Sequence, residues 1–465
     1  MRQHVIELVY LVAAIGFVLS LKWMSSPPTA RRGLLAGEIG FGLAIAATLA
    51  TPGITGTGYA YIAAALFIGA AIGVPLGLLV PMTAMPQRIA LSHAFGALAA
   101  ALVGTTEYYL TQPAIGKFTM GVLGAEILLG FLVFTGSLMA AGKLQELLPQ
   151  RPITYPAQNA INFAIFGAAC AIIIALIFTP GSAALIPVLI VLALAFGVLL
   201  IVPIGGADMP TVIALLNSYA GLSGAALGFV LDNKLLIVAG ALDGTSGLIL
   251  SIIMCRAMNR SFRNVLFGAF GQLQEPDEGV EAGNVRSAST DEAAELLKLA
   301  RNVVIVPGYG MAVAQAQHKV RELADALARE GVDVKFAIHP VAGRMPGHMN
   351  VLLAEANVPY DQLLDMDEIN PDFPQTDVVL VLGANDVVNP AARHNRGSPI
   401  YGMPILEVDK AQCVMVVKRS MRAGFAGIEN ELFYDPKTLM VFGDAKAVVS
   451  ELGAEVSGVK DSIGI

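Results

Sequence analysis

The first 264 residues contain a series of long apolar segments, and this feature constrains the fold more than any other. Each segment reaches or approaches the ~20 residues that an α-helix needs to cross about 30 Å of hydrocarbon. Because Glu7 interrupts the first segment and no clean cleavage site follows it, we expect that segment to stay as a helix rather than to be a removed signal peptide. We predict a multi-pass bundle of nine helices near residues 5–21, 34–51, 58–80, 87–106, 119–141, 160–178, 184–203, 210–231 and 234–256.

The distribution of charge divides the chain into two dissimilar parts. The whole chain is 55% hydrophobic and only 14% charged, which excludes a disordered protein and a purely soluble enzyme. Residues 1–264 carry 12 basic and 8 acidic side chains, whereas residues 265–465 carry 17 and 28. We therefore predict a transmembrane domain over 1–264, a polar linker over 265–290 and a second domain over 291–465. The three cysteines suit neither a disulfide scaffold nor a zinc site, and we expect no bound metal.

The basic residues of the connecting segments predict the orientation of the bundle. Nine helices place the two ends of the bundle on opposite sides of the membrane. One side collects nine basic residues, namely Lys22, Arg31, Arg32, Arg88, Lys143, Arg151, Arg256, Arg260 and Arg263. The other side has Arg2, Lys117 and Lys234. Since basic loops stay in the cytoplasm, the N-terminus is expected outside and the second domain in the cytoplasm.

A few polar residues lie inside the predicted helices, where ionisable groups are costly and usually functional. His93 could carry a proton, because an unperturbed imidazole titrates near pH 6.5, or it could simply bond to a neighbouring helix. Asp208 could serve the same route or cap the helix that follows it. Asn217 could join two helices, Glu126 lies two turns into its helix, and Asp243 lies in a glycine-rich stretch. The absence of long rows of charge argues against a wide channel and favours a narrow proton route.

The second part alternates strand and helix patterns. Apolar runs at 302–306, 332–338, 378–382, 405–408, 414–417 and 439–442 predict strands, and a helix is expected from about 311 to 330. Apolar strands separated by helices are typical of a parallel sheet that is covered on both faces. We therefore predict a doubly wound, Rossmann-like α/β domain.

A glycine-rich turn follows the first strand. It consists of Gly308, Tyr309, Gly310, Met311, Ala312 and Val313. The first glycine permits a tight turn and the second lets the backbone approach a pyrophosphate. Valine replaces the third glycine of the usual fingerprint, so a tight turn without a ligand stays possible.

The residues after two other strands favour NADP over NAD. An NAD site usually has a carboxylate after the second strand, but here that strand ends in His339 and Pro340. Lys418, Arg419 and Ser420 follow a later strand. Two cations and a hydroxyl suit a 2′-phosphate, although two solvated surface cations would give the same sequence.

Further small and polar residues follow the other strands, where an open α/β sheet binds its ligands. The candidate nucleotide-binding residues are Arg344, Met345, Pro346, Gly347, Gly383, Ala384, Asn385, Asp386, Gly424, Phe425, Ala426, Gly443, Asp444 and Ala445. Arg344 could pair with a phosphate, and Asn385 and Asp386 could hold a carboxamide. Residues 424–427 have a glycine at each end, which suits a mobile lid.

Three functions fit these patterns. The first is an enzyme that transfers a hydride. Because the chain has one dinucleotide fingerprint, either a small substrate or a partner chain must supply the second reactant of that transfer. A transporter or channel gated by a nucleotide-sensing domain is the alternative, although no potassium-type filter such as Thr-Val-Gly-Tyr-Gly is present. A membrane-anchored NADPH-dependent reductase is a third, but no Tyr-x-x-x-Lys pattern offers a proton donor.

The longest motifs resemble the beta subunit of proton-translocating NAD(P) transhydrogenase. The similarity extends along essentially the whole chain, through segments 205–210, 254–262, 307–317, 339–356, 383–386 and 443–446. It implies an enzyme subunit of the bacterial inner membrane that binds NADP(H), on the Si-type NADP side, and is active only with an NAD(H)-binding alpha subunit. Hydride would pass from NADH to NADP⁺ as protons enter the cytoplasm. It also implies a dimer of alpha–beta units and no nucleic-acid partner.

The resemblance also assigns roles to individual residues. His93 and Asn217 match the intramembrane histidine and its polar partner, and Asp208 and Glu126 match further polar positions of the proton pathway. Lys418 and Arg419 match the basic pair that binds the 2′-phosphate in the family. Asp386 matches a family residue that lies near the nicotinamide. At 425 the family usually has tyrosine, so Phe425 lacks a lid hydroxyl, and Asp243 has no clear counterpart. Direct hydride transfer requires two carbons about 3–3.5 Å apart, so we assign no catalytic acid or base.

Overall fold

The computed structural model describes residues 2–149, 153–205, 208–259, 284–345, 347–396, 398, 400–422 and 429–458. The chain divides into two compact units, of which the first covers Met1–Ile204 and Val212–Ser251 and the second covers Gly205–Thr211 and Ile252–Ile465. The boundary predicted at residue 264 and most of the predicted linker lie outside the described residues.

Nine apolar helices form the N-terminal part of the described chain. They are α1 (Arg2–Met24), α2 (Ala30–Leu49), α3 (Gly56–Leu78), α4 (Met85–Thr111), α5 (Lys117–Leu144), α6 (Gln158–Phe178), α7 (Leu185–Ile201), α8 (Met209–Val230) and α9 (Lys234–Ala257). Eight are long and apolar enough to cross a membrane, and α7 is a shorter apolar helix of 17 residues. In hydrocarbon the backbone must pair with itself, which a helix does completely. Each predicted segment coincides with one helix, so the multi-pass bundle is confirmed.

Helix α5 lies at the centre of this bundle and packs against α4, α6 and α7. Its buried side chains include Met120, Leu123 and Ile127, which share a cluster with Tyr108 of α4. The Tyr108 hydroxyl donates to the carbonyl oxygen of Pro180 at 2.7 Å, so this buried polar group is satisfied. Among the described residues, α3 is different, since none of its side chains is buried within the chain.

Glycines bring α8 and α9 close together. A Cβ atom added to Gly221 would lie 2.6 Å from the Cα of Gly244, and one added to Gly247 would lie 2.6 Å from the backbone nitrogen of Ser218. Such small residues allow helix backbones to approach in lipid, where packing drives association. The two helices are therefore held in one register.

The second unit contains a six-stranded parallel sheet. Its strands are β1 (Asn302–Pro307), β2 (Asp333–Ile338), β3 (Leu363–Asp365), β4 (Val378–Leu382), β5 (Cys413–Lys418) and β6 (Thr438–Phe442). Their order is β3-β2-β1-β4-β5-β6, with every pair parallel. This is the doubly wound order, in which the direction of winding changes between β1 and β4. The Rossmann-like prediction is confirmed.

Helices and a large apolar core accompany this sheet. The helices are α10 (Thr290–Leu299), α11 (Tyr309–Val313), α12 (Gln317–Arg329), α13 (His348–Glu355), α14 (Met366–Ile369), α15 (Ala391–His394) and α16 (Ala445–Val456). The first begins with a capping box, in which Ser289 and Glu292 bond each other's backbone amides. The core cluster includes Val306, Val381 and Val416 of neighbouring strands.

Two details of the predicted strands are wrong. The apolar run at 405–408 is not a strand, because the Asn370 amide donates to the carbonyl of Ile405 and accepts from the amide of Glu407. The sheet instead contains β3, Leu363–Asp365, which was not predicted and whose residues are only half-buried or exposed. The predicted helix at 311–330 is divided into α11 and α12, with Gln315 in the left-handed region at a φ of +50°.

Candidate functional site

Two turns meet at the carboxyl ends of β1 and β4. The amide of Gly308 donates to Leu382 O at 2.9 Å, and the amide of Gly310 donates to Gly383 O at 2.9 Å. A Cβ on Gly310 would lie 2.7 Å from the Cα of Gly383, which itself has a φ of +68°. Because these residues are glycines, the backbones of the two turns can pack directly against each other. The glycines thus have a structural role whether or not a ligand is bound. The interlocked turns lie where doubly wound sheets bind their ligands.

An arginine from the loop after β2 covers the first turn. The Arg344 guanidinium lies over the Tyr309 ring, 4.2 Å from its centre, and Arg344 is almost fully buried. Such cation–π stacking holds a cation in one place. Tyr309 and Arg344, each predicted separately as a nucleotide-binding residue, are thus brought together from two loops that are distant in sequence. A buried cation at this edge suits a phosphate.

Two buried histidines shape the same loop. The Nδ1 atom of His339 accepts from the amide of Val341 at 3.2 Å, and that of His348 accepts from the amide of Arg344 at 3.1 Å. A ring nitrogen that accepts carries no proton, so the proton of each neutral ring is on Nε2. The Nε2 of His339 donates to Pro404 O at 2.8 Å. In the described residues the buried Nε2 of His348 has no hydrogen-bond partner.

Burial keeps both histidines neutral. It lowers the pKa of His339 to about 4, and burial together with the Arg344 charge lowers the pKa of His348 to about 4. Gly343 has a φ of +107°, and a Cβ there would lie 2.6 Å from Nδ1 of His348. The loop is therefore folded around the imidazole that supports the Arg344 backbone. We had not assigned His348 to the site, although its place directly after Gly347 in a glycine-bounded loop was a usable signal.

The turns after β4 and β5 bring an acid and a lysine together. Burial lowers the pKa of Lys418, and the negative charge of Asp386 opposes this effect. The ammonium donates to Arg422 O at 2.5 Å and lies over the Phe433 ring, 4.6 Å from its centre. Arg419 and Ser420 are exposed beside it. This part of the edge thus presents cations that are available to a phosphate.

Asn430 supports the turn after β4 and was not predicted. It is almost fully buried, and its amide donates to the carbonyl oxygen of Asn385 at 2.9 Å and to Oδ1 of Asn385 at 3.2 Å. The Nδ2 atom of Asn385 is buried and has no hydrogen-bond partner in the described part of the chain. A buried donor without a partner suits an incoming acceptor. The signal in the sequence was weak, because a lone asparagine also suits a turn.

The remaining predicted nucleotide-binding residues are placed as follows. Asp444 caps α16 and accepts from the amides of Lys446 and Ala447 at 3.0 and 3.4 Å, so it has a structural role. The other described candidates near this edge are Met311, Ala312, Val313, Met345, Gly347, Ala384, Gly443 and Ala445. Pro346 and the lid residues Gly424, Phe425 and Ala426 lie outside the described residues.

In the bundle, the structure brings His93, Asn217 and Asp243 together. Asn217 Nδ2 donates to Asp243 Oδ1 at 3.2 Å, and the charges of His93 and Asp243 interact. The Nδ1 atom of His93 is buried and has no hydrogen-bond partner among the described residues. Three helices, α4, α8 and α9, thus contribute to one polar cluster.

Glu126 occupies a different place in the bundle. It is fully buried on α5 against Gly104, where any side chain would overlap its carboxylate. Ser223 donates to it at 3.5 Å. Because Gly104 is eleven residues after His93 on α4, Glu126 lies about 16 Å along that helix from the histidine. Asp208 is buried directly before α8 and belongs to the second compact unit.

Lys143 is a buried polar residue that we had counted only as a loop cation. It lies in the last turn of α5, and its ammonium donates to the carbonyl oxygens of Ile201, Val202 and Ile204 at 3.2, 2.7 and 2.6 Å. These are carbonyls at the end of α7, where a helix leaves acceptors unsatisfied. A lysine near the end of an apolar helix gave no signal that it turns inward.

Fold and sites together define a multi-pass membrane protein that carries a doubly wound α/β domain of the dinucleotide-binding type. The family described as NAD(P) transhydrogenase beta subunit matches residues 6–455. Two relatives from Rhodospirillum rubrum, each named NAD(P) transhydrogenase subunit beta, are 49% identical over 458 residues, which covers 95% of this chain and 97% of each relative. The chain belongs to the NAD(P) transhydrogenase beta subunit family, which confirms the predicted resemblance.

Proposed function

We propose that this chain binds NADP(H) and couples hydride transfer from NADH to NADP⁺ to the entry of protons into the cytoplasm. The observation that carries the proposal is the presence, in one chain of this family, of a cationic edge on a doubly wound sheet and a polar cluster with a histidine inside a membrane bundle. Neither feature alone requires coupling. Together they provide a site for the hydride transfer and a site for the proton movement.

The charges of the sheet edge support NADP(H) rather than NAD(H). The domain from 265 onward is strongly acidic, yet Arg344, Lys418 and Arg419 lie at the edge that binds ligands. A 2′-phosphate adds charge that these cations can hold through charge-assisted hydrogen bonds. When bound, the nicotinamide ring accepts or gives the hydride. The buried Nδ2 of Asn385 is a suitable donor to its carboxamide.

The protein's own residues bind and orient the reactants rather than react. Hydride transfer needs two carbons held about 3–3.5 Å apart and no protein nucleophile. We infer that the NAD(H) site is on the alpha subunit for which the family name implies a partner. We also propose that two alpha–beta units form the complex.

Coupling then acts through binding. We propose that protonation of His93 changes the relative affinity for NADP⁺ and NADPH, and linkage requires that the nucleotide state in turn shifts proton binding at His93. Asn217, Asp208 and Glu126 are proposed as further members of the route. The bias of basic residues supports an orientation in the bacterial inner membrane with the N-terminus outside and the α/β domain in the cytoplasm.

Reconstitution tests this function. The chain and an alpha subunit are incorporated into vesicles, and NADH is added with an NADP⁺ analogue. We expect the lumenal pH to change as the analogue is reduced, and His93→Ala to abolish this change. Reduction without any proton movement would contradict the coupling and leave only a membrane-attached hydride transfer.

A further inference from the structure

Asp243 is a carboxylate near the middle of α9, a membrane-spanning helix. Its side chain is exposed on the surface of this chain rather than enclosed in it. An ionised carboxylate is costly against lipid, so acids at this depth pair with other polar groups. The polar groups that the described chain brings to Asp243 are those of His93 and Asn217.

The backbone fixes Asp243 opposite Asn217. The Ser218 hydroxyl donates to the carbonyl oxygen of Gly244 at 2.7 Å, next to Asp243 in the chain. Gly221 makes room for this contact, because a Cβ there would lie 2.8 Å from the carbonyl carbon of Asp243. A Cβ on Gly247, one turn further along α9, would lie 2.9 Å from Nδ2 of Asn217. The amide of Asn217 is therefore held between two turns of α9.

His93 approaches the same carboxylate from α4. A Cβ on Gly130 of α5 would lie 3.0 Å from the carbonyl oxygen of Ala97, one turn after His93, and 3.2 Å from the Ser223 hydroxyl of α8. The helix that carries His93 and the helix that presents the amide donor to Asp243 therefore meet at one place on α5, and the charge of Asp243 acts on His93. A lone imidazole would alternate between a net charge of zero and +1 in a poorly solvating region. Beside an ionised carboxylate, the pair alternates between −1 and zero, so its protonated form is neutral overall. The attraction between the two charges offsets part of the cost of removing the protonated ring from water.

We propose that Asp243, held by the Asn217 amide, is the charge partner of His93, so that the two ionisable side chains form the proton-binding unit of this membrane domain. This inference rests on the proposed coupling and adds a residue to it. One proton binds to the His93 ring while Asp243 stays ionised, and the same proton leaves to the next acceptor, which restores the negative pair. Asn217 holds the carboxylate in place through its amide donor.

The competing explanation is that Asp243 only joins α8 to α9. The variant Asp243→Asn separates the two, because it keeps an oxygen acceptor for Asn217 and removes the charge. If Asp243 only joins the helices, Asp243→Asn should leave proton flux unchanged. If Asp243 is the charge partner of His93, Asp243→Asn should alter proton flux. Glu38→Gln is the matched control, since Glu38 is a carboxylate on the membrane-spanning helix α2.

The test uses the complete complex with the alpha subunit in vesicles and follows proton flux against pH. We expect Asp243→Asn to move the midpoint of the pH profile to lower pH by one unit or more and to reduce flux at pH 7 at least tenfold. Glu38→Gln should stay within twofold of wild type. Because His93→Ala abolishes the flux, the double variant is compared by its rate of analogue reduction. Adding Asp243→Asn to His93→Ala should change that rate less than twofold, since coupled residues are not additive.

Each outcome is decisive. An Asp243→Asn profile that superimposes on the wild-type profile overturns the pair, as does a tenfold loss in the rate of analogue reduction when Asp243→Asn is added to His93→Ala. If instead the wild-type complex moves no protons, the proposed function fails and not the pair alone. Asn217→Leu provides a second variant, because it removes the amide donor to Asp243 and should reproduce the shift without altering any charge.

Discussion

Acid should destabilise the α/β domain through the two histidines that shape the loop after β2. His339 and His348 are almost fully buried, and both Nδ1 atoms accept backbone amides that a protonated ring would repel. Protonation therefore requires the loop to open, and the loop carries Arg344. The perturbation is a change of pH from 7 to 5.

The magnitude follows from the shift in each pKa. The pKa of each ring is lowered from 6.5 to about 4 in the folded chain, so the unfolded chain binds more protons between these values. The stabilisation by neutral His339 and His348 is complete above pH 6.5 and is lost as the pH falls toward 4. At pH 5 this linkage costs about 2 kcal/mol for each histidine and about 4 kcal/mol for the pair.

The assay is urea unfolding of the full-length chain in detergent, with proteolysis reporting the unfolded fraction of the α/β domain at pH 7 and pH 5. His348→Asn keeps an acceptor oxygen for the Arg344 amide but does not titrate. We expect its loss in the free energy of unfolding between the two pH values to be about 2 kcal/mol smaller than that of wild type. The exposed His318, changed to Asn, is the control and should keep the wild-type loss. Equal losses in wild type and His348→Asn would show that protonation of His348 does not destabilise the domain in acid.

Three further changes test other parts of the structure. Replacing Lys418 and Arg419 by alanine should weaken binding of NADPH by about 1.5–3 kcal/mol for each charge-assisted bond lost and leave NADH binding unchanged; equal effects on both nucleotides in a titration would place the 2′-phosphate elsewhere. Gly308→Ala should destabilise the domain by about 1–3 kcal/mol because its methyl group overlaps the turn after β4. Gly453→Ala on α16, where the added Cβ would lie 4.0 Å from the Cα of Leu323, should be neutral or stabilising by about 0.5–1 kcal/mol; similar urea midpoints would contradict this. Lys143→Met should lower stability by about 3 kcal/mol by leaving buried carbonyls without a donor, whereas Lys143→Arg keeps donors; thermal unfolding that ranks them equally would count against the cap.

Periodicity and length were enough to predict the nine apolar helices of the N-terminal part and five of the six strands of the sheet. Lipid requires an uninterrupted apolar helix, and a parallel sheet requires apolar strands between helices, so both leave a strong pattern in the sequence. The run at 405–408 misled because it is apolar and buried, yet Asn370 takes its backbone groups. Burial and strand pairing are separate facts, and the pattern reports only the first.

The contacts between side chains could not be predicted from the sequence. Whether Lys143 points to water or into the bundle depends on the end of α7, some sixty residues away. The pairing of Asn217 with Asp243 depends on how α8 and α9 are rotated, which their glycines set by contact. The support of Arg344 by His348 depends on a loop fold that no periodicity encodes. Such contacts depend on tertiary structure. The candidate residues could therefore be predicted from the sequence, but not which of them contact each other.

The central claim is that the nucleotide at the sheet edge and the proton at His93 are linked. The direct measurement is calorimetry of the complete complex, in which NADPH replaces NADP⁺ in buffers of different ionisation enthalpy, so that the number of protons bound on exchange is counted. Linkage between the two sites predicts a net uptake or release of protons in the wild type and none in His93→Ala. The same proton count in both proteins would contradict it.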